Sequence, residues 1–471
     1  MQGYAPLDPS VSVLPDRRLL QRLESMVQTF AQQPERSIPQ ATGNRNDMDA
    51  AYDFFKNPRV GPAGVVASCL PQTLHGLGDC RRLLAIQDSS DFNFGGLGKA
   101  TGLGYTDGPG GRGLQLHSSL AVTATGQPLG LLTQQAWARE PQRKGRAQQR
   151  RGRPPQDKAS YRWQDHAARA RAAVPADITV VHVADREGDV YGWLAAPRPA
   201  HTHLLVRVAQ AQRVVVHGPD EQRGYLAEVV RAAAVLGRHT ISVPRADDKP
   251  ARPAALAVRL VAVAVQPPRN APRRSQLRPV PAWALEAYEE SPPAGAKAVC
   301  WRLLTTEPVL TWDEALRALR EYALRWLIER LHDVLKSGCR VEALQLETAE
   351  RLANALAVYS QVAARVLRLL YLSRQQPQTP AATEFSPEER AVLGGYQRQQ
   401  ARGRPVGPVQ TVACAVALVA RLGGHLGRKG DGHPGAKVLW RGLQALHDRV
   451  LGYRIGQTNY PPPPPVIRRK E

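Results

Sequence analysis

The stretch RRLLAIQD, residues 81–88, opens the part of the chain that decides the fold. Its apolar run predicts a buried strand that ends at Asp88. Two further apolar runs, at residues 114–126 and 128–137, predict that this strand continues into an antiparallel meander of three strands. The Gly-rich link at residues 94–113 lacks the spacing of a phosphate-binding loop, so we interpret it as a hairpin connection.

Beyond this meander the pattern alternates between helix and strand. It predicts a helix at residues 160–174, a buried strand at 178–185 and another strand at 203–208, with a second helix between the two strands. The order βββαβαβ is that of the ribonuclease-H-like fold, in which helices flank a mixed sheet. We therefore predict an α/β core with this fold.

Other segments flank and interrupt the core. The N-terminal segment predicts two amphipathic helices joined by the loop SIPQATGN, and a basic helical module ahead of a core is typical of DNA binding. Alternating strands with Pro/Arg-rich links predict a β-rich insertion at about 210–298. The predicted division is a helical DNA-binding domain at 1–65, the ribonuclease-H-like core at 66–374, a C-terminal helical region at 375–455 and a disordered Pro-rich tail at 456–471.

The composition is strongly basic. Lys plus Arg number 63 against 41 Asp plus Glu, which gives a net charge of +22. This charge indicates a polyanion as partner. A ribosomal or chromatin-like protein, or a basic solvated surface, would fit the charge equally well. Part of this charge lies at residues 139–158, which we expect to form a mobile loop that contacts phosphates. The five cysteines contain no CxxC pair, so we expect free thiols rather than a zinc site or a disulfide framework.

We find neither a membrane span nor an export signal in the sequence. No stretch approaches the roughly 20 apolar residues of a membrane span, and the N-terminus lacks a signal peptide. We therefore expect a soluble, cytoplasmic protein with no membrane partner.

Two acids occupy equivalent positions in the predicted sheet. Asp88 ends the strand LLAIQD and Asp185 ends the strand TVVHVAD, each where the chain leaves the sheet. Hard oxygen ligands at neighbouring strand ends are what Mg²⁺ requires. An Asp after a strand is, taken singly, more often a turn or helix cap, but the pair in this strand order favours a metal site. We expect Glu187 and Asp189, which follow closely, to matter less.

A third acid stands in the segment YALRWLIERLHDVLK, residues 322–336, which we predict to lie in one long helix from Thr311 to Gly338. Tyr322, Arg325, Glu329 and Lys336 stand at offsets 0, 3, 7 and 14, and at about 100° per residue they share one helix face. A salt-bridged surface face is the alternative interpretation. It is weakened because a separate row of leucines already supplies the core face of this helix.

These residues resemble the YREK signature of the insertion-sequence-four family of DDE transposases, the family of transposon-five transposase. The pattern Tyr322-x2-Arg325-x3-Glu329-x6-Lys336 matches the signature, and the stretches LLAIQDSSD and ADREGD resemble the first two acidic motifs of the family. The N-terminal SIPQATGN and AAYDFFKNPRV resemble its end-binding domain. The resemblance extends from about residue 8 to residue 455.

The resemblance implies a function and a set of functional residues. It implies a cut-and-paste transposase that binds double-stranded DNA, both transposon ends and target, and pairs two ends as a homodimer in the synaptic complex. Cleavage would proceed by nicking, hairpin formation, hairpin opening and strand transfer, with two Mg²⁺ ions per active site and Mn²⁺ as a substitute. The implied catalytic and metal-binding residues are Asp88, Asp185 and Glu329, and the implied DNA-binding residues are Tyr322, Arg325, Lys336, Trp301 and Arg207.

Two residues depart from the family pattern. Where family members often have an acid directly after the catalytic Glu and a Lys a few residues later, this chain has Arg330 and Asp333. The end-sequence specificity of the family therefore does not carry over to this chain. Two other functions stay open at this point: a ribonuclease-H-like nuclease that cuts without strand transfer, and an inactive relative that only binds DNA.

Overall fold

The computed structural model describes residues 7, 12–107, 111–139, 161–243, 251–271, 273–428 and 430–459. Most of the basic segment at 139–158 and the proline run at 461–465 lie outside these residues, so the expectations for them are not addressed. The helices are α1 Arg17–Gln32, α2 Ile38–Thr42, α3 Arg45–Lys56, α4 Pro62–His75, α5 Tyr161–Ala173, α6 Tyr191–Ala195, α7 Leu226–Ala232, α8 Trp312–Ala323, α9 Trp326–Asp333, α10 Ala349–Gln375, α11 Pro387–Ala401, α12 Val412–Leu422 and α13 Ala436–Asn459.

The strands of the described residues join into one mixed sheet. They are β1 Arg82–Asn93, β2 Gly104–Tyr105, β3 Arg112–Thr123, β4 Pro128–Trp137, β5 Thr179–Ala184, β6 Thr202–Arg207, β7 Val214–His217, β8 Gln222–Tyr225, β9 Val235–Val243, β10 Arg252–Val265, β11 Val280–Glu289 and β12 Cys300–Thr305.

The first part of this sheet contains the predicted meander and the strands that follow it. β1 pairs antiparallel with β3, and β3 pairs antiparallel with β4, as the apolar runs predicted. On its other side β1 pairs parallel with β5, which in turn pairs parallel with β6. The order β4-β3-β1-β5-β6 therefore places three parallel strands next to an antiparallel pair.

The predicted β-rich insertion extends the same sheet. β12 pairs antiparallel with β6, and β11, β10, β7 and β8 follow outward from it. A short helix that sequence reasoning missed, α7, packs its buried Leu226 and Val230 beside β10 and β11. Strands β7 to β11, which we call the sheet extension, thus continue the core sheet and do not form a separate sheet.

The helical segments differ from the sequence-based prediction at several points. The loop SIPQATGN contains α2, which is opened by a capping box between Ser37 and Gln40. α11 was not predicted, and α13 continues to Asn459, so the segment assigned to the tail begins as helix. Within the described residues all five cysteines are free, as expected.

The core of the molecule is built around α10. This helix is long and apolar enough to cross a membrane by length and composition alone, so the expectation that no such stretch exists was wrong. In the structure 94% of its apolar window is buried inside the protein, where it packs against β4 on one side and against α1 and α4 on another. It is the core helix onto which the sheet and the N-terminal helices pack.

Candidate active site

Asp88 and Asp185 lie at the same level of the sheet. Ile86 of β1 is paired in parallel register with Val183 of β5, and each acid follows two residues later. Side chains alternate along a strand, so Asp88 projects from the face that carries Ile86. β1 continues past Asp88 to Asn93, so the prediction that the strand ends at Asp88 was wrong, whereas Asp185 directly follows the last residue of β5. The two acids come together where the parallel pairing of β1 with β5 ends.

The Asp88 carboxyl group is buried among like charges. Burial raises its pKa to about 7, and the neighbouring carboxylates of Asp185 and Glu329 contribute to this rise, against the opposing effects of the Ser89 N–H and of Arg325. The Ser89 N–H donates to Oδ1 of Asp88 at 2.8 Å, and Nη1 of Arg325 lies 3.9 Å from Oδ2. Two other carboxylates thus act on Asp88 at this point of the fold.

The segment that carries Glu329 is not one continuous helix, contrary to the prediction. α8 begins with the predicted capping box of Thr311 and Glu314. It ends at Ala323, and tight turns follow in which Arg325 N–H donates to the Tyr322 carbonyl at 3.0 Å. α9 then begins at Trp326 and passes into a π-helical turn, Val334–Gly338.

Because of the break between α8 and α9, the four signature residues have different surroundings. Tyr322 is buried, Arg325 is partly buried, and the Glu329 side chain is 56% exposed and ion-paired with Arg325. Nζ of Lys336 donates to Oγ of Ser90 at 2.9 Å and lies 5.0 Å from the Phe92 ring. Arg325 and Lys336 therefore both face β1, next to Asp88 and just beyond it, while Tyr322 points into the protein.

Trp301 and Arg207 lie beside Tyr322. The rings of Trp301 and Tyr322 meet edge to face with centroids 5.8 Å apart. Burial raises the pKa of Tyr322, while the nearby guanidinium groups of Arg325 and Arg207 lower it. Arg207 is also held by a hydrogen bond from Nη2 to the Cys300 carbonyl at 3.2 Å. Four residues of the predicted DNA-binding set thus form one cluster, which consists of Tyr322, Trp301, Arg207 and Arg325, while Lys336 lies apart from it at Ser90.

The carboxylates have the right chemistry for a hard cation but are not arranged as finished ligands. In the part of the chain that the structure describes, no three His, Cys, Asp or Glu side chains surround one point as metal ligands. Glu329 is turned toward Arg325, and Oδ1 of Asp185 accepts the Glu187 N–H at 2.8 Å as a cap of the following 3-10 turn. The all-oxygen donor set and the mutual repulsion around Asp88 fit Mg²⁺.

Sequence reasoning missed the network behind Asp88. Gln87 and Ser89 project from the opposite face of β1, where the buried His117 ring hydrogen-bonds to Ser89 Oγ at 2.9 Å and to Gln87 Oε1 at 3.2 Å. Burial lowers the pKa of His117 well below its ordinary value, so its ring stays neutral. The unbroken run of polar residues in QDSSD, directly after an apolar run, was the available signal that polar side chains are used on both faces of this strand.

Sequence reasoning also missed the partners of Asp189. It is buried, its Oδ2 accepts the N–H groups of Ala209 and Gln210 at 2.8 and 3.0 Å, and its Oδ1 accepts from Arg213. The loop that starts at Asp185 is therefore anchored to the chain after β6. A single acid in ADREGD gives no sequence signal for such a distant partner.

Two stretches of the chain match models of known protein families. Residues 10–60, which contain α1 to α3, match the family described as transposase DNA-binding. Residues 361–460, from the second half of α10 to the end of α13, match the family described as transposase Tn5 dimerisation domain. The two matches flank the sheet that carries Asp88 and Asp185.

Proposed function

Because this chain belongs to the Tn5-like transposases, with a DNA-binding domain at residues 10–60 and a dimerisation domain at residues 361–460, we propose that its central sheet catalyses DNA strand cleavage and strand transfer. The catalytic core in this proposal is ribonuclease-H-like, as the order β4-β3-β1-β5-β6 and its mix of parallel and antiparallel pairs favour. Asp88, Asp185 and Glu329 are its catalytic residues.

One observation carries the proposal. Asp88 and Asp185 stand at the same level of the adjacent strands β1 and β5, where the parallel pairing of these strands ends, and the charge of Glu329, from a different part of the chain, acts on Asp88. A structural cap or turn requires none of this convergence. A site for phosphoryl transfer requires it, because several oxygen ligands must meet at one scissile phosphate.

The three carboxylates would hold two Mg²⁺ ions, for which Mn²⁺ could substitute. When bound, these ions supply Lewis-acid activation of the phosphate and of the attacking oxygen. In this structure Arg325 is ion-paired with Glu329. If Glu329 held a cation, this pairing would be lost and the Arg325 guanidinium would be available to a phosphate. Lys336, near Ser90 on the same side of β1, supplies a second phosphate contact beyond Asp88.

The proposed reaction is a series of in-line displacements at phosphorus. Water breaks one strand and frees a 3′-hydroxyl, which attacks the opposite strand to form a hairpin; water opens the hairpin, and the 3′-hydroxyl attacks the target. One site serves all four steps because each exchanges one oxygen for another on a phosphate. Trp301, half-buried against Tyr322, offers a ring for a base that leaves the stack during hairpin formation.

The test uses duplex DNA that carries the inverted repeats bracketing the gene. We expect Mg²⁺-dependent nicking, hairpin formation and joining to a target, and loss of all three in Asp88→Asn, Asp185→Asn and Glu329→Gln with end binding kept. Asp333→Asn is the matched control, because Asp333 is an acid of the same helix whose partners, Arg330 and the Ser337 hydroxyl, lie outside the proposed site. Nicking without joining would instead indicate a nuclease, and binding without cleavage an inactive relative.

A further inference from the structure

A cavity of about 780 Å³ lies in the sheet extension, away from the three carboxylates. Its walls come from the loop after β6, from the β7–β8 hairpin and from the segment after β10. The lining is rich in cations, with the arginines at 213, 223, 269 and 274 against the single acid Glu228. Tyr225, which is 42% exposed, lies at its rim.

Arg213 distinguishes this cavity from a basic surface patch. Its side chain is only 5% exposed, and its Nη2 donates to the carboxylate and the carbonyl of Asp189. Among the described residues its Nε and Nη1 have no hydrogen-bond partner, although both are buried. Asp189 therefore leaves part of the hydrogen-bonding capacity of the Arg213 guanidinium unused at the wall of the cavity.

The nature of the cavity limits what that ligand is. Arg223, Arg269 and Arg274 are exposed, so they can meet a ligand that enters from solvent. Four arginines around one cavity match the charge and the oxygens of a phosphate better than they match an apolar ligand. The lining therefore favours a phosphate group.

We infer that this cavity is a second DNA contact, which takes a backbone phosphate of a duplex lying along the sheet extension. The inference rests on the proposed function, since it is that function that brings a duplex to this sheet. Asp189 connects the two sites, because it pairs with Arg213 and stands four residues after Asp185. A phosphate held here positions the DNA relative to the loop that carries Asp185.

The experiment measures binding of the full-length protein to a labelled random-sequence duplex in EDTA, so that no cleavage occurs. We expect the double variant Arg269→Ala/Arg274→Ala to bind about tenfold more weakly near 100 mM salt. The slope of log affinity against log salt should fall by about two, one for each lost phosphate contact. The matched control is Arg273→Ala/Arg278→Ala, which removes two exposed arginines of the same segment that do not line the cavity.

Arg213→Lys tests the buried donor. The lysine keeps a cation beside Asp189 but removes the guanidinium donors, so we expect weaker DNA binding with a melting temperature close to that of the wild type. Inorganic pyrophosphate serves as a second probe for a small free phosphate ligand.

The outcomes separate this inference from the proposed function. Unchanged affinity and salt slope in the Arg269/Arg274 variant would overturn the inference while leaving the transposase proposal intact, and so would an equal loss in the Arg273/Arg278 control. Pyrophosphate binding that depends on Arg269 and Arg274, without an effect on DNA, would assign the cavity to a small phosphate and overturn the DNA contact. A wild type that binds no duplex at all would contradict the proposed function itself.

Discussion

Arg82, at the start of β1, holds two acids that come from distant parts of the chain. Its Nη1 and Nη2 contact Glu307 at 2.8 and 2.6 Å, and its Nε donates to Glu321 of α8. The Glu321 side chain is 3% exposed and that of Arg82 19% exposed, so the network is largely removed from water. It fixes the helical segment that leads to Glu329 against the strand that leads to Asp88.

We predict that Arg82→Met lowers the free energy of unfolding by about 3–5 kcal/mol, because it leaves the buried Glu321 carboxylate without its counter-charge, while Glu307 keeps only the longer contact with Arg317. Chemical denaturation measures this loss. Arg81→Met is the control: Arg81 pairs with Asp177 in a mostly exposed ion pair, so its loss should cost less than about 1 kcal/mol. Similar losses in the two variants would show that the Arg82 network does not stabilise the fold.

Asp88 gives a prediction about pH. Its pKa in the folded protein is about 7, above the value of about 4 in an unfolded chain. The folded state therefore holds its proton more tightly, and stability falls as pH rises from about 4 to about 7. In EDTA we predict that Asp88→Asn raises the free energy of unfolding at pH 8, by at most about 4 kcal/mol, and that the gain shrinks to less than half at pH 5. A variant that is less stable than wild type at both pH values would assign Asp88 a structural role.

At the scale of elements, the π-helical turn Val334–Gly338 ends at the glycine that was predicted to end the helix. Gly338 is nevertheless not in the left-handed conformation typical of such an end, because Arg340 is the residue with positive φ, at 49°. A Cβ on Gly338 would lie 2.8 Å from Cε3 of Trp440 in α13. The glycine is needed because the C-terminal helix packs directly on this turn.

We therefore predict that Gly338→Ala destabilises the protein by about 1–3 kcal/mol, although alanine is the better helix former. Gly395→Ala, in α11, is the control, since its nearest atom would be Nη2 of Arg398 at 4.0 Å and a gain of up to about 1 kcal/mol is expected. Thermal unfolding of both variants, and of Gly338→Ala combined with Trp440→Leu, checks the cause. If Trp440→Leu does not reduce the cost of Gly338→Ala, the contact with Trp440 is not the reason.

The strands that could be predicted are those whose own sequence shows that they are buried. β1, β5 and β6 are buried on both faces, so their continuous apolar runs identified them from sequence, and Asp88 and Asp185 were noticed because they end such runs. The break between α8 and α9 was not predictable, because Ala323, Leu324 and Arg325 are all ordinary helix formers. It depends on tertiary contacts that place Tyr322 beside Trp301 while Arg325 reaches toward Asp88.

At the scale of the whole molecule, the two family-matched ends pack against each other through α10. Phe30 of α1 stacks on Tyr359 of α10 with ring centroids 5.0 Å apart, and both rings are almost fully buried. Nδ2 of Asn354, also in α10, donates to the carbonyls of Phe55 and Val60 at 3.0 and 3.1 Å. The sequence indicated a separate N-terminal module. In the structure this module shares its hydrophobic core with α10.

This shared core decides how DNA binding by the N-terminal region should be tested. We predict that deletion of residues 1–60 lowers the melting temperature by at least about 10 °C, because it exposes the buried face of α10 around Tyr359. Loss of DNA binding in that variant would then reflect unfolding as much as lost contacts.

The double variant Arg17→Ala/Arg18→Ala removes two exposed cations of α1 instead. It should weaken binding to duplex DNA several-fold while leaving the melting temperature within about 2 °C of the wild-type value. Differential scanning calorimetry and fluorescence anisotropy on the same preparations check both expectations. A deletion variant that melts like the full chain would show that the N-terminal helices form an independent domain, contrary to the packing of Phe30 on Tyr359.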